Sequence, residues 1–379
     1  MHKLSLILVW FVGLATFCVK AEPQAWQGQV GSAPIVMELD ISSTGDDVKG
    51  RFFYRKYNAD IPLIGKKTED GKLHLAERSW RDEDKLEFIR IVLSPKGKGW
   101  QGEWQGPEET LPVTLNPLDA SMLATVKAKD PSWVSLPYDL AKRAGMRLKA
   151  GEKQNFMGYA LEWMEEPVTK NRMFRVRDGF SDETLNRINA MLEERQWQEI
   201  YSYFGCSMGN KGSFDFDQTV TPRLLNTRLL SVSIFTNYYC GGAHPDFSDT
   251  PLNLDIESGK RLELEDLLWL KSGEPQLSRN ADGRRKDFEY ENKVLAPWLA
   301  KTMADLYPQK VVSPHNEEYS CNYADTEIWN LSVWYLTPKG IYISPHFARA
   351  ARNCEYPDWS ILPWRIVNEH PGRLKGKLP

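Results

Sequence analysis

The chain has 379 residues, enough for about two or three domains, and its 41% hydrophobic and 26% charged residues exclude extended disorder. A formal net charge of −3 argues against a nucleic-acid partner, which would be met by a basic field. A mean hydropathy of −0.49 excludes a polytopic membrane protein.

The first element is a targeting segment. Lys3 supplies a positive start, Leu4 to Val19 runs without charge, and Val19-Lys20-Ala21 offers short residues to a signal peptidase. The apolar run is shorter than the ~20 residues a spanning helix needs. A secretory signal over 1–21, cleaved after Ala21, is expected, and with it an exported chain, periplasmic or secreted. An uncleaved N-terminal anchor is the alternative. Phe17 beside Cys18 does not fit a lipidation signal. Cleavage removes Lys3 and Lys20 and no acid, so the net charge falls from −3 to −5. No second long apolar run follows, so the mature chain is expected to have no transmembrane segment.

Residues 22–117 predict an antiparallel β domain. Ile35, Met37, Leu39 and Ile41 alternate with Val36, Glu38 and Asp40, the period of a half-buried strand. Further strands are expected near 48–55, 61–64, 73–77, 86–93, 100–105 and 111–115, with turns such as Gly45-Asp46-Asp47 between them. Their short spacing predicts a meander, barrel-like and closed or nearly closed to protect its edges. Trp-Gln-Gly occurs at Trp26, Trp100 and Trp104. It marks either similar packing positions or an aromatic platform for a sugar or peptide.

Residues 118–165 break the pattern with Pro131, Pro137 and several lysines, and are expected to be a linker or connecting segment with a short helix near Leu140 to Leu148. Residues 166–379 predict an α+β domain. Ser181 or Asp182 caps a helix to about Tyr203. Strands follow over 228–239 and 252–256, then a short helix from Leu264. A longer helix from Asp287 to Leu306 is interrupted by Pro297. A hairpin closes the series over 328–344. This mixture predicts helices packed on a mixed or antiparallel sheet.

Four cysteines remain after cleavage: Cys206, Cys240, Cys321 and Cys354. An even count in an exported chain implies two disulfides, in one of three connectivities. The pairs most local in sequence, Cys206–Cys240 and Cys321–Cys354, are expected. No C-x-x-C spacing suggests a metal.

The most distinctive stretch runs from Tyr238 to Pro245: Tyr-Tyr-Cys-Gly-Gly-Ala-His-Pro. Leu252-Asn253-Leu254-Asp255, Ser258-Gly259-Lys260 and Leu264-Glu265-Asp266-Leu267 follow in order, and Leu336 to Ile343 forms a closing hairpin. Over about residues 165–370 this order resembles the conserved C-terminal domain of RsiV, the lysozyme-sensing anti-sigma factor, and of PdaC-like cell-wall proteins. The resemblance implies an exported, envelope-associated module with a lysozyme-like muramidase or peptidoglycan as candidate partner. It departs from RsiV in lacking a second apolar span, and from PdaC in leaving no room for a deacetylase domain.

Gly241 and Gly242 offer two positions tolerant of positive φ, and Pro245 restricts His244 to extended values, so a defined loop is expected. The candidate contact surface is Tyr239, Gly241, Gly242, His244, Pro245, Asp246, Phe247 and His346. No G-x-S-x-G elbow, H-E-x-x-H pair or phosphate-binding glycine loop is present. No catalytic residue, metal or cofactor is therefore assigned. The leading expectation is a non-catalytic envelope protein that binds a protein or glycan. One rival is a cell-wall hydrolase or deacetylase using His244 and a carboxylate, with a zinc site of His244, His346 and Asp255 or Asp246. The other is a structural periplasmic protein whose motif only marks the fold.

Overall fold

A computed structural model describes residues 24–43, 45–77, 89–119, 121, 123, 137–208, 214–276, 288–311, 321–330, 332–376 and 378. The expected signal over 1–21 and Pro131 lie outside them. The fold is mixed α+β dominated by strands, and every strand pairing among the described residues is antiparallel. The chain divides into two compact units, with the change at Ala144 and Gly145.

The first unit is a closed eight-stranded barrel. Strands β1 (Gln24–Val30), β2 (Ala33–Ile41), β3 (Asp47–Tyr54), β4 (Ile61–Lys67), β5 (Leu73–Glu77), β6 (Arg90–Lys96), β7 (Gly99–Gln105) and β8 (Thr110–Pro117) pair in chain order, and β8 returns to β1. The alternation seen in the sequence sends Ile35, Met37, Leu39, Phe52, Leu63, Leu75, Ile91, Leu93 and Val113 into one core. Eight strands enclose a space that side chains alone can fill, and each such side chain contributes about 1.5–3 kcal/mol. Trp26 meets Trp100 edge to face at 6.3 Å. A Cβ on Gly28 would stand 1.7 Å from the Thr114 carbonyl oxygen, and one on Gly102 would stand 1.8 Å from that of Val92. The Trp-Gln-Gly echo at these two places thus combines a packing ring with a close strand approach.

Helix α1 (Pro137–Ala144) covers part of the outer barrel face, with Tyr138 and Ala141 on Val36 and Phe53. A polar clamp surrounds that patch. Arg51 bonds Glu38 at 3.0 Å, Asp60 at 3.4 Å and Asp139 at 3.2 Å. Asp60 also accepts from the Tyr138 hydroxyl and Lys142 Nζ, both at 2.6 Å. Lys142 is 1% exposed, and burial pulls its pKa down. Val36 and Glu38, on the strand face that alternates away from the core, are therefore buried as well.

The second unit begins with a three-stranded sheet of β9 (Lys149–Phe156), β10 (Tyr159–Glu165) and β11 (Arg172–Val176). Its first two strands fall in the stretch expected as connecting. Helix α2 (Asp182–Ser207) follows, with Ser181 as N-cap accepting from the Thr184 amide. The main sheet comprises β12 (Asp215–Leu225), β13 (Leu229–Tyr239), β14 (Asp246–Asp249), β15 (Leu252–Asp255) and β16 (Lys260–Arg261). Leu230, Val232 and Ile234 of β13 pack with Ile188 and Leu192 of α2 and with Trp163 and Phe174. Intervening residues face the other way, toward a third sheet of β17 (Val333–Thr337), β18 (Gly340–Ser344) and β19 (Ile361–Pro363). There Ser231 Oγ accepts from the Leu336 amide at 2.9 Å, and Asn253 Nδ2 donates to the Trp334 carbonyl at 3.1 Å.

Helix α3 (Ala296–Leu306) packs Leu299 and Met303 against Leu336, Ile341 and Ile343. A π turn at Glu291–Leu295 precedes it. Pro297 has no amide hydrogen and its ring crowds the carbonyl four residues back, which is the physical reason for the interruption there. Both expected disulfides form, Cys206–Cys240 and Cys321–Cys354. Such bonds persist in oxidising compartments, which is consistent with export. Among the described residues no helix is long and apolar enough to cross a membrane.

Candidate functional site

The Gly-Gly-Ala-His-Pro segment is the connection of a hairpin. Strand β14 folds back on the end of β13, with Tyr238 opposite Asp246, Asn237 opposite Phe247 and Phe235 opposite Asp249. Gly241 has φ +88°, a value that strains any L side chain. Gly242 does not, so only the first of the two glycines is used for positive φ. Gly242, Ala243, His244 and Pro245 are exposed. His244 makes no hydrogen bond or ion pair to any described residue.

Both arms of this loop are fixed. Cys240 ties the incoming arm to Cys206 near the end of α2. On the outgoing arm, Arg349 donates to the Pro245 carbonyl at 3.2 Å. Arg352 pairs with Asp246 and donates to the Phe247 carbonyl at 2.8 Å. These arginines belong to the 3₁₀ segment Arg349–Cys354, itself bonded to Cys321. The Phe247 ring stacks on Phe235 at 5.9 Å and carries the Arg352 guanidinium at 4.6 Å.

His346 joins the same cluster through a buried carboxylate. Its Nδ1 lies 2.9 Å from Glu355 Oε1, and Glu355 also pairs with Arg352 at 3.1 Å and accepts from the Phe347 amide. The structure thus gathers Asp246, Phe247 and His346 around Arg352 and Glu355. Tyr239 ends β13, and Gly241, Gly242, His244 and Pro245 form the exposed connection.

Three residues further along the same hairpin lies a cleft of about 570 Å³ that sequence reasoning did not identify. Strand periodicity builds its floor. Thr219, Thr221 and Arg223 of β12 alternate onto one face, as do Ser233 and Phe235 of β13. Register sets Thr219, Phe235 and Asp249 in one row across three strands, and Thr221 beside Ser233. Tyr335 and Thr337 of β17, Tyr342 of β18 and Tyr356 complete the wall.

The electrostatics of the cleft are specific. Asp249 is 4% exposed, and burial raises its pKa. Its oxygens accept from Ser233 Oγ at 2.6 Å and the Ile234 amide at 2.8 Å. Tyr356 has φ +59°, a strain of about 1–2 kcal/mol for a side chain other than glycine. It is held there because its amide donates to Ser344 Oγ and its hydroxyl accepts from the Asp249 amide, both at 2.9 Å. Burial pushes the Tyr356 hydroxyl up to about 12, so it stays protonated. Tyr335 and Tyr342 stack at 4.3 Å, and the Arg223 guanidinium sits 4.7 Å from the Tyr335 centroid. Arg223 Nη2 reaches Ser233 Oγ at 3.4 Å, whereas its buried Nε has no partner.

Among the described residues no three His, Cys, Asp or Glu side chains gather as metal ligands. Asp255, one carboxylate weighed for zinc, pairs with Arg228 at 2.7 Å and accepts from Ser258 at 2.6 Å. The site offers ring faces, hydroxyls and one unpaired guanidinium, which together suit the binding of a polar ligand with apolar faces. No protein-family model matches the chain, and no curated protein matches it. A solved structure of a member of the DUF3298 family from Bacteroides fragilis is similar over 60% of this chain and 94% of that one, at 15% identity and a TM-score of 0.33.

Proposed function

We propose that this is an exported, non-catalytic protein of the cell envelope whose second unit binds a cell-wall glycan, or a muramidase acting on that wall. The binding surface is the hairpin of β13 and β14, with the aromatic cleft on its face and the His244 loop at its end. The cleft carries the reading. Four rings (Phe235, Tyr335, Tyr342 and Tyr356) line it beside Thr219, Thr221, Ser233 and Thr337, within the range of about 300–1,000 Å³ of small-ligand sites. The loop supports it, because a segment fixed at both arms loses little entropy when a partner docks. The muramidase rests on the resemblance of residues 165–370 to the RsiV-type domain.

The test is calorimetric titration of residues 22–379 with soluble peptidoglycan fragments and, separately, with a muramidase whose residual lytic activity is read in the same samples. Heat with either ligand, weakened by Tyr335→Ala for fragments or His244→Ala for the muramidase, supports the reading. No heat with either removes it.

The second reading is a hydrolase or deacetylase. One observation favours it: His346 is oriented by a buried carboxylate, Glu355, with its ring about half exposed, an arrangement that suits a general base. Release of reducing ends or acetate from peptidoglycan, lost in His346→Ala, would establish it.

A further inference from the structure

We propose that the cleft is a subsite for a saccharide bearing a single carboxylate, read by the guanidinium of Arg223. The inference rests on the glycan reading above and narrows it to a class of ligand.

Arg223 is a half-buried cation with unused hydrogen-bonding capacity. It forms no ion pair with any described residue. Its Nε is buried and has no hydrogen-bond partner, and one of its Nη atoms reaches only Ser233 Oγ, at 3.4 Å. The nearby carboxylate of Asp249 feels its charge but makes no hydrogen bond or ion pair with it. Both oxygens of Asp249 are engaged, by Ser233 Oγ at 2.6 Å and by the Ile234 amide at 2.8 Å. A guanidinium does not shed its proton to relieve this, so its charge stays available to an acceptor from outside. Its Nε has essentially no accessible surface, so a ligand meets the guanidinium at its Nη groups, whose N–H bonds can face the two oxygens of a carboxylate as a fork. A cation–π contact with Tyr335, 4.7 Å to the ring centroid, holds the guanidinium in place.

The rest of the cleft says what carries the carboxylate. Thr219 and Thr221 present hydroxyls, which can donate to and accept from the hydroxyls of a sugar. Phe235 and Tyr356 present rings for its C–H faces. The cleft opens on a sheet face lined by side chains rather than on a row of free backbone amides, which favours a saccharide over a peptide strand. Asp249 and Asp358 also line it. They oppose a polyanion, so the fitting ligand has one negative charge.

The experiment titrates residues 22–379 with three probes at low salt: cellobiuronic acid, its neutral counterpart cellobiose, and tetraglutamate. The expected result is that cellobiuronic acid binds at least about tenfold more tightly than cellobiose, with the margin shrinking as salt is added. Arg223→Gln should remove the margin by weakening cellobiuronic acid more than cellobiose, and Arg223→Lys should restore part of it. Equal affinity for the two disaccharides overturns the inference while the glycan reading stands. Tighter, Arg223-dependent binding of tetraglutamate shows that the class is an acidic peptide, and overturns it too. No binding of any probe overturns the inference, and the peptidoglycan titration above then decides the glycan reading. Should Arg223→Gln lose the native melting transition, the two-disaccharide comparison and its salt dependence on the wild-type chain decide alone.

Discussion

The two disulfides offer a matched pair of perturbations. Cys206–Cys240 spans a sequence separation of 34 and Cys321–Cys354 a separation of 33. In the chain-entropy account, a loop of either size restricts the unfolded chain by about 4 kcal/mol at 25 °C, and one residue changes that by less than ~0.1 kcal/mol. Packing does not separate them either, since Cys206 and Cys354 are 5% and 2% exposed. The double alanine variant of each pair should therefore lose about 4 kcal/mol from the second unit. With an m-value of about 1–3 kcal/mol/M in urea, the midpoint of that unit should fall by about 1.3–4 M. Urea unfolding of residues 22–379 under non-reducing conditions measures both. The variants part company locally. Only loss of Cys206–Cys240 frees the incoming arm of the 241–245 loop, so only that variant should speed amide exchange there relative to the Asp246–Asp249 strand. If one variant loses about 4 kcal/mol and the other less than about 1, the entropic argument is wrong, and native-state packing or strain accounts for the difference.

Two further outcomes test the buried charges. Lys142→Met leaves Asp60 buried without its 2.6 Å cation, so the barrel transition should lose about 3–5 kcal/mol, and adding Asp60→Asn should recover a large part. A single variant within about 1 kcal/mol of wild type would refute the clamp. Asp249 has a folded-state pKa raised by burial, so the fold takes up its proton more readily than the unfolded chain does. Its stabilising contribution is complete below the unfolded-state pKa and fades as pH rises through the folded one. Asp249→Asn should flatten that part of the stability profile between neutrality and the ordinary carboxylate range. Unchanged pH dependence in denaturant titrations would contradict it.

The barrel was legible because its strands obey one rule. Ile35, Met37 and Leu39 point inward at period two, and the same rule holds for Leu73 with Leu75 and Ile91 with Leu93. What period two does not show is a second burial partner. Val36 and Glu38 are covered by α1, a helix about a hundred residues later in the chain. The hairpin loop was legible at Gly241 and Pro245, where glycine and proline limit the backbone directly. The cleft was not. Thr219, Thr221, Arg223, Ser233 and Phe235 look like the ordinary outer face of a strand pair, and their meaning depends on Tyr335 and Tyr342 arriving from a third sheet and Tyr356 from the loop that follows the 3₁₀ segment. The pairing of His346 with Glu355 was hidden for a related reason. A 3₁₀ segment brings them together across a spacing that matches no helical or strand period.

The order in which the barrel strands pair has a consequence for assembly. Seven ladders join neighbours in the chain, and one, between β1 and β8, joins Val30 to Val113. Hairpins of the first kind form in about 1–10 μs, whereas the last contact must wait for nearly the whole unit. Until β8 arrives, β1 carries a free row of amides and carbonyls that any other extended chain can use. The period of greatest risk of mispairing therefore ends with a single docking event, after which the barrel has no strand edge left to offer.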